Sequence, residues 1–76
     1  MFEVRTQSPL DEGWEERDVM LYEIAGWKSN FNAAEKEVGK MGQRFHSWLV
    51  QTFEGAQQLR KLLKVIPKVN VTIREH

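Results

Sequence analysis

Residues 46–75 read HSWLVQTFEGAQQLRKLLKVIPKVNVTIRE, and their start, periodicity and stop signals all agree with one another. The apolar run at residues 48–50 predicts a buried strand. An amphipathic segment follows. Beyond it Val69, Val71 and Ile73 alternate with polar residues, which predicts a second strand with one buried face and one wet face. These residues therefore predict a strand–helix–strand unit.

The helix of this unit has both of its ends marked. Thr52 is a suitable N-cap, because its hydroxyl can accept a hydrogen bond from a backbone N–H of the first turn. Pro67 cannot continue a helix, and it disfavours helical backbone at the residue before it. The predicted buried face repeats every three or four residues and consists of Ala56, Leu59, Leu63 and Ile66.

The N-terminal part of the chain predicts another strand followed by another helix. Residues 2–6 alternate apolar and polar side chains, as a short strand does. Ser8 is a suitable cap with Pro9 at the first helical position, and Gly26 is a natural terminator. A later start, with helix only from Arg17, is the alternative.

Residues 27–44 carry weaker signals. Asn30 or Asn32 could cap a short helix over residues 33–38, which Gly39 and Gly42 would end. The whole order predicts a single α+β domain over residues 1–76, with β-α-β-α-β layout in two layers. We expect a three-stranded sheet, two main helices on one face and this extra short helix. Strands joined by helices are expected to run parallel.

Composition excludes several classes of protein. The 76 residues include no cysteine, so disulfides, thiolate zinc sites and cysteine nucleophiles are absent. No apolar run approaches the ~18 residues of a membrane span, and a cytoplasmic location is expected.

The net charge of zero hides an asymmetry: residues 1–39 sum to −5 and residues 40–76 to +5. The halves either attract each other on folding or present an acidic and a basic face to partners.

Catalytic side chains are scarce. The two histidines are His46, at the start of a predicted strand, and His76, the last residue shown. They lack metal-ligand spacing, and a structural role is expected for His46. The serines do not occur in a nucleophile motif. We therefore expect no enzyme, no cofactor and no metal.

We expect a binding surface in place of an active site. Trp27 follows the helix-ending glycine, and tryptophan and arginine are enriched at interfaces. Another protein is the first partner expected, and a homodimer through a sheet edge is also open. Nucleic acid is the alternative, bound by the basic face of the helix around residues 56–66. The basic side chains for either role are Arg60, Lys61, Lys64 and Lys68.

The segment WLVQTFEGAQQLRKLLKVIPKVNVTIRE at residues 48–75, together with WEERDVMLYEIAG at residues 14–26, resembles small uncharacterised proteins encoded by phages and prophages. The resemblance carries no functional residue across. It implies a small α+β protein that binds a host protein, as an inhibitor or modulator does.

Overall fold

A computed structural model describes residues 1–26, 33–38 and 41–76. Four strands and two helices are present in this part of the chain. In order they are β1 (Phe2–Pro9), α1 (Trp14–Ala25), β2 (Ala33–Val38), β3 (Met41–Val50), α2 (Phe53–Leu63) and β4 (Asn70–Glu75). Neither helix is long and apolar enough to cross a membrane.

The strands form one sheet in the order β2-β3-β1-β4, and every neighbouring pair is antiparallel. The α+β class, the three predicted strands and the two helices on one face are confirmed. The expectation of parallel strands is wrong for β1 and β3, which are antiparallel neighbours. β3 and β4, joined by α2, do run in the same direction, but β1 lies between them.

The predicted short helix at residues 33–38 is a strand, β2, which extends the sheet beyond β3. Its sequence, AAEKEV, favours a helix by intrinsic propensity. The tertiary context overrides that preference, because the outer edge of β3 carries backbone groups that β2 pairs. The proposed caps Asn30 and Asn32, and Gly39, lie outside the described residues. Gly42 does not end a helix but belongs to β3, where it pairs with Glu37.

The first helix begins later than the Ser8 cap predicts. Ser8 and Pro9 belong to β1, where they pair with Arg44 and Gln43 of β3. α1 starts only at Trp14, after a turn, so the prediction of a Ser8 cap is wrong. The predicted end is confirmed: Gly26 has φ 78°, and its N–H donates to the Tyr22 carbonyl at 3.0 Å.

α2 follows the local signals closely. The Thr52 hydroxyl accepts from the Gly55 N–H at 3.1 Å, which confirms the predicted cap. Gly55 also lets the helix approach β3, since a Cβ there would lie only 2.9 Å from Val50 Cγ1. The predicted buried face is confirmed: its members are all buried, namely Ala56, Leu59, Leu63 and Ile66.

The helix-covered face of the sheet has an apolar part and a polar part. Val4, Trp48 and Val71 belong to the main apolar core with the buried face of α2. Thr6 and His46 are opposite each other on β1 and β3, and both are buried. α1 contacts this polar part through a buried aspartate, Asp18.

Candidate interaction surface

In the described part of the chain, three carboxylate ion pairs with lysine or arginine join the acidic N-terminal half to the basic C-terminal half. Arg44 pairs with Asp18, Lys68 with Asp11, and Arg74 with Glu3. The charge asymmetry of the sequence is therefore used at least in part within the molecule. This arrangement agrees with the first of the two interpretations, in which the halves attract each other on folding.

Asp18 of α1 brings two basic side chains together in the interior. His46 is fully buried, and its Nε2 lies 3.0 Å from Asp18 Oδ1. Arg44 bonds to the other Asp18 oxygen, and its guanidinium lies 4.5 Å from the ring centroid of Trp14. Burial lowers the pKa of His46 and outweighs the opposing effect of Asp18. A histidine without solvent access cannot exchange protons directly with a bound substrate, and its surroundings are those of a structural residue.

This polar cluster was not visible in the sequence as a unit. In the sequence Asp18 is one of the many acidic residues of the N-terminal half, and His46 stands at the start of a predicted strand. They meet because side chains of α1 contact β3, although Asp18 and His46 are 28 residues apart in the chain. Arg44, one of the cations of the basic C-terminal half, is largely buried and engaged by Asp18.

Lys68 lies apart from the other predicted binding residues. Its Nζ is 3.1 Å from Asp11 Oδ2, and the same carboxylate bonds to Arg17. Hydrogen bonds from Lys68 and Arg17 lower the pKa of Asp11, although partial desolvation opposes them. Lys68 lines a hollow of about 210 Å³ with residues such as Met20 and Ile66, away from the exposed face of α2.

The remaining three cations lie on or next to α2: Arg60 and Lys61 are within it, and Lys64 is its C-cap residue. Arg60 donates from Nε to the Val71 carbonyl at 3.3 Å, so its side chain reaches toward β4. Lys61 and Lys64 are exposed. None of the three forms an ion pair with a carboxylate in the described part of the chain. Trp27, the remaining predicted surface residue, lies outside the described residues.

A groove of about 390 Å³ runs between α2 and the edge strand β4. Its most apolar exposed member is Phe53, which is 45% exposed although its ring lies 5.4 Å from that of Phe2. Arg60 stands beside it in the same groove. We call this feature the α2–β4 groove; its lining residues are Phe53, Gln57, Arg60, Val71, Thr72 and Ile73.

The sequence pointed to only one side of this groove. The basic residues of α2 were identifiable from their spacing, but Phe53 was not among the predicted surface residues. The available signal was its position: an aromatic residue directly after the N-cap of the predicted helix. Its contact with Phe2 depends on β1, which no local pattern places there.

Among the described residues, no group of three or more histidine, cysteine, aspartate or glutamate side chains is placed to hold a metal ion. Comparisons with protein-family models, with curated proteins and with solved structures found no match. The chemistry of the surface is therefore the basis for assigning a function.

Proposed function

We propose that this chain is a non-enzymatic interaction protein, which binds another protein through the α2–β4 groove and the neighbouring cations of α2. The observation that carries the proposal is that Phe53 and Arg60 both line one open groove, with Phe53 partly exposed. Aromatic and arginine side chains contribute most of the binding energy in many interfaces. Lys61 and Lys64, which lack an ion pair with any described carboxylate, add a positive field that attracts an acidic partner.

The narrower form of the proposal, a phage-encoded inhibitor or modulator of a host protein, stays a prediction from the resemblance given above. The nucleic-acid alternative also stays a prediction. It has less support, because Lys68 is engaged by Asp11 and Arg60 by the Val71 carbonyl. Lys61 and Lys64 alone provide few phosphate contacts.

The test is affinity capture of the tagged chain from a host lysate, with and without nuclease, using two adjacent substitutions. Gln57→Glu places a negative charge in the groove, whereas Gln58→Glu places the same charge on the same helix outside it. We expect a protein partner that resists nuclease, binds the parent and Gln58→Glu alike, and is lost with Gln57→Glu.

A second pair of variants tests the apolar contribution. Phe53→Ala removes the exposed aromatic ring from the groove, and Val65→Ala trims a side chain that is 76% exposed and lies outside it. Capture should fall only with Phe53→Ala. Equal capture by all the variants would place the interface elsewhere. Material that disappears with nuclease would favour nucleic acid instead.

A further inference from the structure

We infer that the partner binds by adding an extended segment to β4 as a further strand of the sheet, and that this segment carries both acidic and apolar side chains. The inference rests on the proposed function and specifies how the α2–β4 groove is occupied. It starts from the position of β4, which has β1 as its sole neighbour in the described sheet. Strand addition at such an edge is a common mode of peptide recognition.

The direction of the backbone groups along β4 follows from two hydrogen bonds. The His76 N–H donates to the Met1 carbonyl at 2.9 Å, so residue 76 faces β1. Residues facing a neighbouring strand alternate in an antiparallel pair, so Val71 and Ile73 face away from β1. The Val71 carbonyl confirms this direction, because it accepts from the Arg60 side chain on the open side.

An incoming strand thus meets backbone donors and acceptors at Val71 and Ile73, two residues that line the α2–β4 groove. Alternate side chains of that strand fall on the two faces of the sheet. Those on the helix side reach Phe53 and Ile73, which provide apolar contact. This geometry selects an extended backbone with an apolar residue on that side.

Charge complementarity selects the acidic component. Arg60 lines the helix side of the groove, and Arg74, whose side chain is 63% exposed, lies on the other face of β4. An added strand takes the Val71 carbonyl for its own N–H, which releases Arg60 to bind a carboxylate of the partner. A carboxylate on the opposite face of the added strand lies near Arg74. Arg74 already pairs with Glu3 in the chain alone.

The probe is a library of random-sequence peptides, about twice the length of the six-residue β4, displayed and selected on the full chain. The Gln57→Glu variant serves for counter-selection. We expect the enriched sequences to alternate apolar with acidic residues. No enrichment, or enrichment of basic or helix-forming sequences, overturns the inference.

Amide hydrogen exchange then tests the binding mode without any substitution. In the chain alone the N–H groups of Val71 and Ile73 point to the open edge, whereas that of Thr72 is directed at β1. A selected peptide should slow exchange at Val71 and Ile73 at least tenfold and leave Thr72 nearly unchanged. Methylation of every second peptide amide should abolish binding when the methylated amides face β4. It should leave binding unchanged when they face away from β4. Exchange that is unaltered at Val71 and Ile73 overturns strand addition.

The role of Arg60 is tested against its neighbour. Arg60→Met and Lys61→Met each remove one positive charge from adjacent positions of α2, but Arg60 alone lines the groove. We expect the Kd of the acidic peptide to rise about tenfold with Arg60→Met and about twofold or less with Lys61→Met. If Arg60→Met binds the peptide as tightly as the parent and forms dimers, Arg60 only shields the edge and the acidic requirement is wrong.

The two proposals fail in different ways. Loss of the captured partner with Gln57→Glu, combined with no peptide selected, would leave the protein-binding function in place and remove strand addition. Capture that is indifferent to Gln57→Glu, combined with an edge-binding peptide, would support the edge as a peptide site but place the main protein interface elsewhere.

Discussion

Replacement of Asp18 by asparagine tests the energetic role of the buried polar cluster. The Asp18 side chain is 10% exposed, and those of its partners are 12% exposed for Arg44 and 0% for His46. Removal of one partner from a buried pair costs about 3–5 kcal/mol, since the other charge stays buried without compensation. Asparagine can still bond to His46, and a tenth of the pair remains accessible. We therefore expect a loss of about 3 kcal/mol.

The assay is urea unfolding followed by tryptophan fluorescence and far-ultraviolet circular dichroism at about pH 8. A domain of this length has a free energy of unfolding of roughly 4–11 kcal/mol, so the expected loss is a large fraction of it. With a slope of about 1–1.5 kcal/mol per molar urea, the midpoint should fall by about 2–3 M.

Arg74→Met provides the control, because it removes one charge from an ion pair, that with Glu3, in which the arginine side chain is 63% exposed. An exposed pair contributes about 0–1 kcal/mol, and the control should lose no more than that. If Asp18→Asn loses no more than Arg74→Met does, the buried cluster does not hold α1 on the sheet, and the reasoning about its burial is wrong.

Three further predictions concern pH and glycine. Because the folded-state pKa of His46 lies below 6.5, the unfolded chain binds more protons near that pH, so the urea midpoint should fall as pH drops below about 6.5. His46→Gln should flatten this dependence, and an unchanged slope would assign it to other groups. Gly55→Ala should destabilise the protein by about 1 kcal/mol in thermal or urea unfolding, despite a helix-propensity gain of similar size, since its Cβ would contact Val50 at 2.9 Å. Gly26→Ala should cost about 1–2 kcal/mol in the same assay through its positive φ; a neutral result would indicate a different helix end.

The C-terminal strand–helix–strand unit was predictable because its signals are local. A cap hydroxyl, a repeat of three to four residues and a period of two each act within a few residues of chain. Thr52, Ala56 and Val71 take the roles that these patterns predict. Such agreement between local preference and final structure is common where nothing in the tertiary context competes.

The N-terminal helix start was not predictable from the same kind of signal. Ser8 and Pro9 have the chemistry of a cap and a first helical residue, but β3 offers them strand partners in Gln43 and Arg44. Residues 33–38 illustrate the same competition, because a helix-favouring sequence pairs with β3 instead. In both cases a partner distant in the chain changes the outcome, and no window of sequence contains it.

Part of the candidate interaction surface was likewise predictable from local spacing, and part depended on tertiary packing. Arg60, Lys61 and Lys64 were identifiable as an exposed basic face from helical spacing alone. That Arg60 reaches the Val71 carbonyl, and that Lys68 belongs to a separate cluster with Asp11, depended on the packing of α2 and the turn after it.

The sequence by itself determined the α+β class, the helix α2 with its cap and buried face, and the alternation of β4, because each depends on side chains close together in the chain. The tertiary structure alone decided that β1 separates β3 from β4 and that β4 lies at an edge. It also brought Asp18 to His46 and Phe53 to Phe2. The physical reason is that strand order and long-range contacts depend on which distant backbone and side-chain groups find partners in the whole fold.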